Sequence, residues 1–316
     1  RTGVLIDAVQ PALAMVIAFI AASGTHHWLT ERRQRFLREA FARYVSPNRV
    51  ADLVAHPERL HLGGQRQACS FVFTDLACFT RMMEAGDPAR AVALLNEYLD
   101  GMLDIVFRHE GTLDRIVGDA IAVLFSAPVP QPAHRQRALD CALAMDAFAR
   151  AHAQRLRSQG IAWGDTRIGV HTGTVIVGNF GGSRLFDYRA LGDPVNTTAR
   201  LESANKQLGT RVCVSADLLA GCSGVPTRPI GRVLLQGKQQ AVAVATPEAA
   251  LDSQACAPAE AYAQAFAALQ AAAGASAALE RFQALAARYP ADPLVALHLG
   301  RLRGGAVGDL VVLAGK

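Results

Sequence analysis

The sequence predicts an α+β protein whose central sheet is laid down in the order β-α-β-β-α-β, with a long apolar helix before it and a small helical hairpin after it. Three observations predict this. Short apolar runs bounded by glycine and aspartate recur at 68–76, 113–117, 120–125 and 166–170, as strands do. Stretches of helical periodicity fall between them, each ended by glycine or proline. The regions on either side have a different composition, one continuously apolar and one rich in alanine.

The chain has 316 residues, about two domains by length. Hydrophobic residues make up 51% and charged residues 19%, which excludes a disordered or collagen-like chain. The formal net charge of +5 is too small over this length to point to nucleic acid, and none is expected as a partner. The six cysteines, Cys69, Cys78, Cys141, Cys213, Cys222 and Cys256, contain no CxxC pair, so neither a zinc ribbon nor a disulfide scaffold is expected.

In chain order, residues 1–25 read as a transmembrane helix. Sixteen of the twenty residues from Gly3 to Ala22 are apolar, and twenty residues rise about 30 Å, the thickness of the hydrocarbon layer. Asp7, Gln10 and Pro11 share one stripe, which suits a neighbouring helix better than lipid. Residues 26–62 read as a helical stalk. Their basic cluster, Arg32, Arg33, Arg35, Arg38, Arg43 and Arg49, directly follows the span. By the positive-inside rule everything downstream is cytoplasmic, and the protein belongs to the inner or plasma membrane. Because the first residue is Arg1, the chain is expected to continue upstream.

Residues 63–247 form the main domain. A buried strand at Ala68–Leu76 is followed by Asp87-Pro88, a cap with proline at the first helical position. Val92, Leu95, Leu99, Met102 and Val106 line one helix face, and Gly111 ends it. Leu113–Val117 and Ala120–Phe125 form a hairpin around Gly118-Asp119. A helix follows over Ala138–His152, then strands at Thr166–Val170 and Val175–Val177. Asp193-Pro194 repeats the cap-plus-proline device and starts a helix to about Lys206. Strands at Val212–Val214, Val233–Leu235 and Val242–Ala245 complete a ferredoxin-like sheet. Residues 258–303 resemble one and a half tetratricopeptide units, and 304–316 form a tail whose Asp309–Gly315 looks like a strand.

Three constellations carry chemistry. Asp75 ends the first strand within Phe73-Thr74-Asp75-Leu76-Ala77-Cys78-Phe79-Thr80, and Asp119 sits at the hairpin tip after Arg115-Ile116-Val117-Gly118. If those strands are neighbours, the two carboxylates converge and repel unless a divalent cation neutralises them. Hard oxygen ligands that leave room for phosphates suit Mg²⁺. The third constellation is Gly192-Asp193-Pro194-Val195-Asn196-Thr197-Thr198-Ala199-Arg200. There Asn196 and Arg200 stand one helical turn apart on one face. An amide and a planar guanidinium together suit a ribose oxygen and a phosphate.

These runs, with Gly169-Val170-His171-Thr172-Gly173 and Tyr188-Arg189-Ala190-Leu191 between them, resemble the class III nucleotidyl cyclases, in order, from about Gly63 to Ala245. The stretch Arg43-Tyr44-Val45-Ser46-Pro47 and the tail helices are similar to bacterial membrane-anchored adenylate cyclases with an upstream CHASE-type sensor. The resemblance implies that Asp75, Asp119 and the Leu76 carbonyl hold two Mg²⁺ or Mn²⁺ ions per site. It implies that Asn196 and Arg200 orient the ribose and stabilise the transition state. Lys238 is expected to meet the terminal phosphates, with Phe79 and Thr80 on the substrate side. It also implies a homodimer with shared sites, converting ATP to 3′,5′-cyclic AMP and pyrophosphate.

One departure concerns the base. Adenylate cyclases commonly carry Lys at the position of Arg115 and Asp or Thr at that of Arg189. Arginine has donors only, so Arg189 cannot accept from the adenine amino group. GTP as substrate, or a degenerate domain that only binds or dimerises, are the alternatives to ATP. Cys78 also replaces a glycine usual in the family.

Overall fold

The computed structural model describes residues 13, 15–26, 28, 46–56, 58, 61–79, 82, 87–182, 185–271 and 275–313. The expected transmembrane segment and stalk lie largely outside these residues, as does Thr80. Residues 15–26 are helical, with Met15, Ile17, Phe19 and Ile20 exposed. No helix among the described residues is long and apolar enough to cross a membrane.

A short helix, α1 (Pro47–Ala55), leads into strand β1 (Gly63–Leu76). Then come α2 (Pro88–Arg108), β2 (Thr112–Val117), β3 (Ala120–Phe125), α3 (His134–Ser158) and β4 (Thr166–Gly181). The strand order β2-β3-β1-β4, all antiparallel, is the ferredoxin-like plan. Asp87 caps α2 by accepting from the Ala89 amide, as its sequence announces. The runs at 166–170 and 175–177, expected as two strands, form one long β4. Its far half pairs with β5 (Phe186–Leu191), a strand the sequence reading did not identify.

Helix α4 (Asp193–Leu208) crosses the sheet at close range. A Cβ at Gly169 would stand 2.3 Å from the Glu202 amide nitrogen, and one at Gly173 would stand 2.5 Å from Pro194. These glycines let helix and strand backbones touch. Asp193 is not the expected N-cap. Gly192 holds that position, Asp193 is the first helical residue, and its carboxylate binds Lys238 and the Thr197 hydroxyl instead.

After α4 come β6 (Val212–Ser215), the one-turn α5 (Ala216–Leu219), β7 (Thr227–Leu234) and β8 (Val242–Pro247). Three helices follow, α6 (Ala259–Gln270), α7 (Ala275–Arg288) and α8 (Pro293–Arg303), then β9 (Leu310–Val312). Strand β9 pairs in parallel with β7, so the tail enters the same sheet. Tyr262, Phe266, Phe282 and Leu294 pack with Leu201, Cys213, Ile230 and Val233 in one cluster. The C-terminal helices and the sheet therefore share a core.

Two further cores occupy the two faces of the first four strands. Val72, Ile121, Val123 and Phe125 pack under α2 and α3 with Tyr98, Met102 and Met145. On the opposite face Phe71, Leu124, Val175 and Val177 form a smaller cluster with Tyr188 and Val195 at its edge. Alternation along each strand sends Phe71, Phe73 and Asp75 to the lightly covered face and Val72, Thr74 and Leu76 to the helices.

Candidate active site

Because β1 and β3 are neighbours, with Thr74 opposite Ile121, the hairpin tip returns to the end of β1. There the Leu76 amide donates to Asp119 Oδ2 at 3.0 Å, which brings Asp119 beside Asp75. Burial raises the Asp119 pKa, and the charge of Asp75 adds to the rise. Two residues that the sequence reading omitted complete this cluster. Arg167, opposite Asp75 across β1 and β4, places its guanidinium 2.5 Å from Asp75 Oδ2. Glu202, from the underside of α4, brings Oε1 to 3.5 Å from Arg167 Nε. Burial, with the nearby Asp75 charge, pushes Glu202 up to about 7. Arg167 Nε and Glu202 Oε1 are both buried without a hydrogen-bond partner.

Those observations test a divalent cation. The donors are hard oxygens, one acid already has a guanidinium as its counter-charge, and the negative charge is incompletely satisfied. Asp75, Asp119 and the adjoining backbone therefore fit Mg²⁺ or Mn²⁺, which binds through one or two carboxylates and leaves positions for phosphate. Among the described residues no group of three or more His, Cys, Asp or Glu is arranged to hold a metal by itself.

A second corner forms where α4 meets the loop between β7 and β8. Lys238 Nζ lies 2.5 Å from Asp193 Oδ2, and this bond lowers the Asp193 pKa. A Cβ on Gly237 would stand 3.4 Å from Arg200 Nη2, so the loop runs close over that guanidinium. Asn196, one turn earlier, is exposed. Arg200 and Lys238 thus supply positive charge at one place, suited to an anion. No hydrogen bond or ion pair among the described residues joins this corner to Asp75 or Asp119.

A third corner lies between β2 and β5. Arg115 Nη1 stands 3.6 Å from Asp114 Oδ2, and Arg189 Nε donates to Asp187 Oδ2 at 2.8 Å. Arg49 of α1 reaches Asp187 Oδ1 at 3.7 Å and lies over the Tyr188 ring, 5.0 Å from its centroid. Asp114 and Asp187 were not singled out in the sequence, and their proximity to the two arginines is a product of the fold.

The structure thus sorts the expected residues into three groups. Asp75, Leu76 and Asp119 come together, and Arg115 lines one cavity with Asp75, Ala199 and Glu202; Arg200 and Lys238 meet beside the exposed Asn196, and Arg189 stands on β5 beside Asp187. Phe79 packs against the core beneath α2 and α3. Strand ends, hairpin tips and one-turn spacings are local, and they pointed to Asp75, Asp119, Asn196 and Arg200, whereas Leu76 and Lys238 were named through the resemblance alone. Arg167 carried one weak signal, its place just before the apolar run Ile168–Val170. Glu202 lies among buried positions of α4, where its sequence position gives no sign of a partner.

The model of the adenylate and guanylate cyclase catalytic domain matches residues 64–245. Adenylate cyclase 1 of Rhizobium meliloti (strain 1021) is 36% identical over 206 residues, 64% of this chain and 30% of that protein. The chain spans about a third of the length of the curated relatives it matches. The crystal structure of the adenylyl cyclase CyaB from P. aeruginosa aligns with a TM-score of 0.55 and 31% identity, over 61% of this chain and 97% of that one. The guanylyl cyclase Cya2 aligns with a TM-score of 0.53 and 30% identity over the same shares.

Proposed function

Because the chain belongs to the adenylate and guanylate cyclase catalytic-domain family, we propose that it is an adenylate cyclase, converting ATP to 3′,5′-cyclic AMP and pyrophosphate at two sites shared across a homodimer. The observation that carries this reading is the convergence of Asp75 and Asp119 at the end of β1, apart from a second corner holding Asn196, Arg200 and Lys238. Each protomer offers two complementary half-sites, and a twofold axis pairs each half with its complement.

Asp75, Asp119 and the Leu76 carbonyl would hold two Mg²⁺ or Mn²⁺ ions, whose charge would acidify the 3′-hydroxyl and offset that of the phosphates. Asn196 fixes the ribose so that the 3′-oxygen faces the α-phosphorus. The 3′-hydroxyl gives its proton to solvent water as its oxygen attacks in line; the bond to phosphorus forms, and the bond to pyrophosphate breaks. Arg200 donates to the phosphoryl oxygens as charge shifts toward the leaving group. Lys238 exchanges Asp193 for the terminal phosphates. No side chain acts as a strong base.

The apolar N-terminal stretch is retained in this proposal as an anchor in the inner or plasma membrane. The catalytic domain is cytoplasmic and a sensor lies upstream. The exposed apolar side chains of residues 15–20 support that reading, since such a helix requires cover.

Purified protein with Mn²⁺ and ATP or GTP, followed by chromatography of the product, tests the activity. Cyclic AMP is expected. Cyclic GMP instead would favour the guanylate alternative, and no cyclic product would favour a module that only binds or dimerises.

A further inference from the structure

We propose that the cavity between the end of α3 and the start of β6 is a second anion site, built to hold a phosphate group and distinct from the corner of Arg200 and Lys238. The cavity has a volume of about 590 Å³ and is lined by Arg150, Gln154, Arg157 and Ser158 of α3, with Asp165 and Arg211. None of them belongs to the proposed catalytic machinery.

Three guanidiniums in one lining repel each other unless they are anchored. Each is held along one edge. Asp146, only 3% exposed, accepts from Arg211 Nε at 2.9 Å and lies 3.2 Å from Arg150 Nε. Arg211 Nη2 also donates to the Ala250 carbonyl. Arg157 Nε donates to the Trp163 carbonyl at 2.8 Å, and its Nη2 donates to Asp165 Oδ1 at 2.6 Å. The other edges are open. Among the described residues, Nη1 of Arg157, Nη1 of Arg211 and both terminal nitrogens of Arg150 have no hydrogen-bond or ion-pair partner.

Three arginines against Asp146 and Asp165 leave a net positive charge. The end of α3 carries partial negative charge, which Arg155 and Arg157 in its last turn offset. A phosphate suits these donors better than a carboxylate does. Its terminal oxygens splay about one atom and can meet three separate side chains, whereas a carboxylate offers two oxygens in one plane. The volume admits pyrophosphate or a nucleoside monophosphate, and a phospholipid headgroup carries the same group.

The site backs onto the metal end of β1. The Asp165 carbonyl accepts from the Ala77 amide at 2.9 Å, two residues beyond Asp75. A Cβ on Gly164 would stand 1.8 Å from the Ala77 carbonyl oxygen. An anion that draws Arg157 from Asp165 therefore acts on a segment held directly against the loop after Asp75.

Calorimetry of the full chain tests the site with pyrophosphate, AMP and sn-glycerol 1-phosphate as probes. A chelator keeps divalent cations from bridging phosphate to Asp75 and Asp119. At least one probe is expected to bind with a Kd below about 1 mM, and the binding should persist in Lys238→Ala, where the other phosphate corner is weakened. Adding Arg150→Ala, at a side chain 46% exposed, should then weaken it by at least about tenfold. Arg157→Gln should do the same, and thermal melts report whether each variant is folded. Tighter binding of sn-glycerol 1-phosphate than of pyrophosphate and AMP assigns the site to a lipid headgroup, and the reverse order assigns it to a soluble phosphate. Either order supports the site. No saturable binding of any probe, an affinity unmoved by Arg150→Ala in a folded chain, or loss of all binding in Lys238→Ala alone would overturn it.

Discussion

Cys78 has φ +62°, in the left-handed region that glycine adopts freely and other residues adopt at a cost. It sits three residues after Asp75, where the resemblance implies glycine, so the loop keeps the glycine conformation without the glycine. Cys78→Gly should raise the unfolding free energy by about 0.5–1 kcal/mol, read as a higher urea midpoint, once the extra freedom of the unfolded chain is set against relieved strain. An unchanged or lower midpoint would contradict the strain. Asp119→Ala removes an acid that the fold places against Asp75, and with it one hydrogen bond from Leu76. Turnover should fall by at least about 10²-fold, while the melting temperature drops only by the equivalent of about 1 kcal/mol. Retained turnover would remove Asp119 from the machinery. Asp75, Asp119, Asn196 and Arg200 could be singled out because strand ends, a hairpin tip and one-turn spacing are local features, while their roles came from the resemblance. Arg167 was not: its partner Asp75 lies 92 residues away, and only the register of β1 against β4 joins them.

Helix α4 serves two purposes on two faces. Its underside carries Glu202 toward Arg167 and Asp75, and its outer side carries Asn196 and Arg200. If sites are shared between protomers, inactive Asp75→Ala and Arg200→Ala chains should complement each other. Random pairing makes half the dimers mixed, each with one intact site of two, so about a quarter of wild-type activity should return. No recovery after verified subunit exchange would place each site within one chain. The order of the sheet was legible from apolar runs and caps, since Asp87-Pro88 and Gly118-Asp119 punctuate the chain strongly. Strand β5 was hidden. Phe186, Tyr188 and Ala190 alternate with Asp187, Arg189 and Leu191, but six residues are too few for that alternation to stand out beside a glycine-rich stretch. The single long β4 was hidden too, because Gly169 and Gly173 look like breaks and are contact points for α4.

The whole molecule is bound together at its C-terminal side, where the helices read from sequence as tetratricopeptide-like units share a core with β6–β9. No periodicity in the alanine-rich segment could announce that, because an amphipathic face does not name its partner. His298 lies fully buried there, with Phe282 and Phe266 rings 5.2 and 5.6 Å away. Burial, aided by Arg301, pushes its pKa down to about 3, and burial pushes His171 down to about 4. In the unfolded chain both return to ordinary values near 6.5. Below about pH 6.5 the unfolded chain therefore binds more protons than the folded one, and stability falls as pH drops toward 4. Urea unfolding at pH 4.5, 5.5 and 6.5 should show this slope. His298→Phe should make it shallower, by up to about 1.4 kcal/mol per pH unit, and identical slopes would refute the assignment.

Arg228 on β7 is 2% exposed, and Asp292, at the head of α8, meets it at 2.8 Å with no solvent exposure of its own. A lone cation in such surroundings is strongly disfavoured. During synthesis Arg228 leaves the ribosome well before Asp292 is made, and until then only Glu248 offers it an opposite charge. A nascent chain halted short of that aspartate carries an incompletely neutralised guanidinium where its interior ought to close. Maturation of the cyclase fold must therefore wait for the helices beyond it, and premature termination there is a folding lesion even with every residue assigned to catalysis intact.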